Sequence, residues 1–174
     1  MTTKQSIPMT SSNKFKTETD RAVEHIKMSR AIAIVGNGGN LAIAQHAASD
    51  LSRYLGKFAF APDAVHLTAC GSDGDWHDKW IKYAVNQADF VIGITTRLDS
   101  PITKGLESLD VRHSHKLLVC PYQHPTLPTL VINKENTYIR DNTEEDLTFH
   151  EFEVSVLWHF YMLFRQCGAK LKII

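Results

Sequence analysis

Residues 31–50, AIAIVGNGGNLAIAQHAASD, constrain this chain more than any other stretch. Ala31 to Val35 is a short apolar run of strand type. Gly36-Asn37-Gly38-Gly39-Asn40 is a turn that needs small residues and tolerates positive φ. From Leu41 the apolar spacing is helical. A strand that turns through glycines into a helix belongs to an α/β fold, and such a turn aims backbone N–H groups and a helix N-terminus at one spot that suits an anion, usually phosphate. The turn lacks the G-x-G-x-x-G spacing, and no Lys-Ser/Thr follows it. It is therefore neither the dinucleotide nor the P-loop fingerprint, and no nucleotide cofactor is expected. A plain strand-to-helix turn fits the loop equally well. His46 and Asp50, four apart, share one helix face. They suit proton transfer or metal binding, and an ordinary solvated i,i+4 pair fits them too.

The rest of the chain repeats the alternation. A helix is expected over 14–30, with Phe15, Ala22, Val23 and Ile26 as a partial apolar stripe. Strands are expected at 64–69 (AVHLTA), 90–95 (FVIGIT), 116–120 (KLLVC) and 129–132 (TLVI), and Gly56 and Pro62 bracket a connection. Helices are expected at 76–86, from Pro101, and over 144–166, where Phe149, Phe152, Val156, Phe160 and Leu163 are spaced for a core. This is the pattern of a doubly wound, mainly parallel five-stranded sheet in a three-layer αβα sandwich. Residues 1–13 are polar and read as a loose terminus, with a single domain over 14–174.

Composition narrows the function. Lys and Arg number 19 and Asp and Glu 19, so the formal net charge is zero and offers no footprint for nucleic acid or membrane. Cys70, Cys120 and Cys167 are widely spaced and make neither a metal motif nor an even disulfide set, which points to a reducing cytoplasm. No apolar run reaches membrane-spanning length.

Two further turns stand where open α/β sheets collect ligands, past a strand's C-terminal end. One is CGSDGDW, residues 70–76, where Ser72 and Asp73 also suit a helix cap. The other is TTRLDS, residues 95–100, where Ser100 before Pro101 makes an ordinary N-cap.

GNGGN followed by His46 and Asp50 resembles the GNGGS-xxxxxHxxxE signature of bacterial phosphoheptose isomerases, which are sugar isomerase (SIS) domain proteins. Asn40 stands for the Ser and Asp50 for the Glu. Ser72-Asp73 resembles the family's GND segment, and Thr95, Thr96 and Ser100 match positions of its STSGNS phosphate loop. Arg97, Leu98 and Asp99 depart from that loop. Glu151 and His159 occupy the places of a Gln and an active-site His eight residues apart.

The resemblance implies a flavodoxin-like SIS domain. It implies an aldose–ketose isomerase that interconverts sedoheptulose 7-phosphate and D-glycero-D-manno-heptose 7-phosphate through an enediol. Asp50 is then the base, His159 the partner acid/base, and Asp73 assists ring opening. Asn37, Gly38, Gly39, Asn40, Ser72, Thr95, Thr96 and Ser100 then hold the sugar phosphate, and Arg97, where the chain departs from the family loop, can replace hydroxyl contacts with a bidentate phosphate clamp. His46, Asp50, Glu151 and His159 form an N/O zinc set. A homotetramer or homodimer is implied, with active sites between subunits. The same resemblance leaves open a non-catalytic module that binds a phosphosugar or a protein partner of the replication-initiator kind, and an isomerase of a different phosphosugar.

Overall fold

The apolar runs pair side by side in the computed structural model, which describes residues 17–63, 76–110, 115–135, 137 and 147–171. The strands are β1 (Ala31–Val35), β2 (Phe58–Phe60), β3 (Phe90–Ile94), β4 (His115–Cys120) and β5 (Thr129–Val131). They form one sheet in the order β2-β1-β3-β4-β5, and every neighbouring pair is parallel. Ile32 lies opposite Phe90 and Ile34 opposite Ile92, which places the C-terminal ends of β1 and β3 side by side. Strand order reverses at that pair, and an open α/β sheet forms its ligand crevice at such a switch point.

The helices are α1 (Glu18–Met28), α2 (Gly39–Leu55), α3 (Trp76–Val85), α4 (Pro101–Glu107) and α5 (Phe149–Gln166). Side chains of a strand alternate between its faces, so each strand feeds two cores. Ile32, Ile34, Phe90, Ile92, Ile94, Leu117 and Val119 pack with Ala44, Ala47 and Leu51 of α2, Ile26 of α1, and Phe152, Val156 and Phe160 of α5. Ala33, Val35, Val91, Leu118 and Cys120 pack on the other side with Trp80 and Ile81 of α3 and Ile102 and Leu106 of α4. Parallel strands buried on both faces have the continuous apolar sequence seen in FVIGI.

Local chemistry sets the helix ends. Thr17 caps α1 and Thr148 caps α5, each in a reciprocal capping box. Of the helix expected over 14–30, residues 14–16 lie outside the described residues and Glu18–Met28 is helical. The one expected over 144–166 begins at Phe149, with 144–146 outside the described residues. The connection expected between Gly56 and Pro62 contains β2, a three-residue edge strand that joins β1 where Phe58 N–H donates to the Arg30 carbonyl at 2.9 Å. The strand expected at 64–69 and the terminus at 1–13 lie outside the described residues. Among the described residues no helix is long and apolar enough to cross a membrane.

Candidate functional site

At the switch point the β1–α2 turn and the β3–α4 loop face each other across a cavity of about 400 Å³. Asn37, Gly38 and Asn40 line it from the first loop, and Thr95, Thr96, Arg97 and Ser100 from the second. Seven of the expected binding residues thus meet in one place.

The turn works differently from the anion cradle expected of it. Gly38 has φ 58° and ψ −130°, a conformation that favours glycine. The Asn40 and Leu41 N–H groups donate back to the Asn37 and Gly38 carbonyls, at 3.2 and 3.0 Å. A side chain on Gly39 would collide with the carboxylate of Glu153, a residue of α5. The positive end of α2 therefore already faces a negative charge of the chain itself. An added phosphate there would meet that charge, so the turn is better suited to groups that donate hydrogen bonds.

The second loop is braced from within. The Thr95 hydroxyl accepts from Arg97 N–H at 3.2 Å and lies 3.3 Å from the Arg97 carbonyl. Ser100 caps α4 by accepting from Thr103 N–H at 3.1 Å, with Pro101 next in the chain. These two hydroxyls shape the loop, and Thr96 and Arg97 are the side chains it presents. Asp99 lies 3.7 Å from the Arg97 guanidinium, with both side chains exposed, so each charge offsets the other.

Two buried groups in this cavity stand without partners. His77, in the first turn of α3, is 6% exposed, and neither ring nitrogen has a hydrogen-bond partner among the described residues. Its ring stacks on Trp76 with centroids 3.6 Å apart. Burial holds its pKa below the ordinary histidine value. Asn40 is 3% exposed and its Oδ1 is likewise unpartnered. Sequence reasoning missed His77. The signal was its position, one residue past the turn that carries Ser72 and Asp73. Those two residues lie outside the described residues.

His46 and Asp50 open onto a different cleft, of about 620 Å³, between α2 and α5. His46 Nε2 lies 2.8 Å from the Tyr161 hydroxyl and 3.3 Å from Asp50 Oδ2. Burial raises the Tyr161 pKa, and the Asp50 charge adds to the shift. Arg53, Arg165 and Lys170 complete a basic rim. At 1.5 Å per residue, His46 and Asp50 sit about 10 and 16 Å along α2 from Gly39. The structure thus divides the expected site in two, with the binding residues at the sheet edge and Asp50, the expected base, beside His46 farther down α2.

The expected zinc set is not gathered within one chain. Among the described residues no group of three or more His, Cys, Asp or Glu could hold a metal ion. Helix geometry supplies the reason. Residues two apart on a helix project about 160° apart, so α5 cannot turn both Tyr161 and His159 toward His46. Tyr161 takes that place. His159 instead donates from Nδ1 to the Ser155 carbonyl at 2.8 Å. Glu151 is held at the helix start, where its carboxylate accepts from Thr148 N–H at 2.7 Å.

No protein-family profile matches the chain. Over 85 residues it is 35% identical to the phosphoheptose isomerase of Aliarcobacter butzleri, across 43% of this chain and 45% of that protein. Over 99 residues it is 33% identical to the phosphoheptose isomerase of Trichlorobacter lovleyi, across 51% and 50%. The chain spans about half the length of the curated relatives it matches. The solved phosphoheptose isomerase of Neisseria gonorrhoeae superposes with a TM-score of 0.61 over 86% of this chain and 85% of that one, at 18% identity. The fold is of the phosphoheptose isomerase type.

Proposed function

We propose that the protein is a sugar-phosphate aldose–ketose isomerase, with sedoheptulose 7-phosphate and D-glycero-D-manno-heptose 7-phosphate as its substrate pair. One observation carries this reading. Residues of both ligand loops converge on a single cavity at the switch point of a sheet that shares its fold with a phosphoheptose isomerase. The two relatives named phosphoheptose isomerase favour the same activity.

The chemistry moves one proton between C1 and C2 through an enediol. Thr96 and Arg97 anchor the phosphate, with Thr95 and Ser100 holding their loop in shape. Asn37, Gly38, Gly39 and Asn40 take the sugar, and Asp73 assists ring opening. Asp50 is the base, with His46 beside it to relay the proton to oxygen. His159, on the far side of α5 from Tyr161, joins Asp50 only in a site shared with a second copy. The separation of Asp50 from the binding cavity along α2 favours such a shared site and a homodimer or homotetramer. No step is routed through zinc, because one chain does not gather the ligand set.

Proton NMR of sedoheptulose 7-phosphate with the purified protein in D2O tests the reading. The expected result is the aldose, with deuterium at the carbon that receives the proton. Folded protein that gives neither turnover nor exchange would sink it. The same division of the site favours a second reading, a binding module without catalysis, and binding without exchange would establish that one instead.

A further inference from the structure

We propose that His77, together with Asn40, forms the polyol-reading end of the sheet-edge cavity, so that this site selects a ligand by its hydroxyl groups as well as by its phosphate. The inference rests on the sugar-phosphate reading above and names a residue that the resemblance does not assign.

The argument is an inventory of donors and acceptors. Burial lowers the His77 pKa and so favours the neutral ring, and a neutral imidazole has one N–H donor and one bare nitrogen that accepts. The free Oδ1 of Asn40 only accepts. Two residues that line the cavity therefore carry one donor and two acceptors that nothing among the described residues satisfies. A phosphate dianion brings acceptors alone. It could use the His77 N–H and would leave both acceptors orphaned. A hydroxyl donates and accepts at once, so two hydroxyls of a sugar can satisfy all three groups.

The placement agrees with this chemistry. The carboxylate of Glu153 lies against Gly39, between the cavity-lining Gly38 and Asn40, so an anion at the start of α2 meets a like charge. Arg97 and Thr96, on the opposing loop, are left for the phosphate. The Trp76 stack holds the imidazole plane, so little freedom is lost when a hydroxyl docks. A site built from buried polar groups rejects ligands that lack the matching hydroxyls, because the orphaned groups then stay unpaired.

Isothermal titration of the full chain with sedoheptulose 7-phosphate and with inorganic phosphate tests the assignment. His77→Phe keeps the ring stack and deletes both nitrogens, while His77→Gln restores a donor and an acceptor. The expected result is that His77→Phe weakens sugar-phosphate binding about tenfold. Phosphate binding should change less than about twofold, and His77→Gln should recover most of the loss. In the wild type, the imidazole nitrogen resonances of His77 should shift on adding the sugar phosphate and stay in place with phosphate alone. This reading does not depend on how the variants fold. An unmoved imidazole signal overturns the inference, as does a folded His77→Phe protein that binds the sugar phosphate like the wild type or loses both ligands equally. Binding by the wild type without turnover sinks the isomerase reading and leaves His77 in its role. A wild type that binds no sugar phosphate overturns both.

Discussion

A methyl group added at Gly36 would meet the backbone of Asn40 and Leu41, whereas the atoms nearest one added at Gly39 belong to the end of the Glu153 side chain. Backbone has nowhere to go, and a carboxylate can swing aside. Gly36→Ala is therefore expected to destabilise the protein by about 3 kcal/mol, while Gly39→Ala stays within about 1 kcal/mol and expels Glu153 from the turn. Urea unfolding of the two variants checks this, and equal midpoints would contradict it. The histidines set a pH dependence at the same scale. Burial lowers the pKa of His77 and, with help from the nearby His115 charge, that of His25, both from an ordinary 6.5. The folded chain holds these rings neutral to lower pH than the unfolded chain, which takes up protons as pH falls through 6.5. The unfolded state then binds more protons, so stability falls as pH drops from about 7.5 toward 5. Thermal melts across that window should show a falling midpoint, with a shallower slope in His77→Phe. A flat profile for the wild type would refute the linkage.

Among the elements, α5 decides most about the site, because its rotation selects which side chains face α2. Its start is set by Thr148, whose hydroxyl accepts from Glu151 N–H while the Glu151 carboxylate returns the bond. Loss of that cap in Thr148→Ala should cost about 1 kcal/mol. Circular dichroism melts read the loss, and an unchanged midpoint would mean that packing of Phe152 and Val156 alone holds the helix end. The same capping box explains why Glu151 sits where it does. It completes a helix terminus, which is a sufficient structural role for a residue that the resemblance places in a metal set.

For the whole molecule, the proposed isomerase needs Asp50 and His46 of α2 to reach a ligand held at the sheet edge. The proposed site shared between copies would allow this, and mixing variants tests it. Asp50→Asn keeps an intact binding cavity, and Arg97→Ala keeps an intact acid–base pair. Neither is expected to turn over sedoheptulose 7-phosphate alone. In a mixed pair, one site regains both residues, so activity should appear when the two variants are co-expressed or exchanged. Inactive mixed assemblies, verified to contain both variants, would place Asp50 and Arg97 in the same chain's site or outside the reaction.

Much of this was legible from the chain alone because it depends on neighbours in sequence. The apolar runs at 31–35 and 90–94, the glycines of the first turn, Ser100 before Pro101, and the helical spacing from Phe149 to Leu163 are read from local sterics and periodicity. They determine a parallel sheet with helices on both faces and bring two loops to one edge. The rest was decided by relations between distant residues, which only packing sets. Phe58–Phe60 became a strand because β1 offered it an edge. Glu153 reached Gly39 because of how α5 lies against α2. His77 became a buried ring, unpartnered among the described residues, because packing sets the first turn of α3 in the cavity wall. Tyr161 rather than His159 met His46 because one helix cannot show both faces to the same wall. Propensity and spacing act within a few residues, whereas burial, rotation and close approach come from the assembled fold, and in this protein they determine the chemistry of the site.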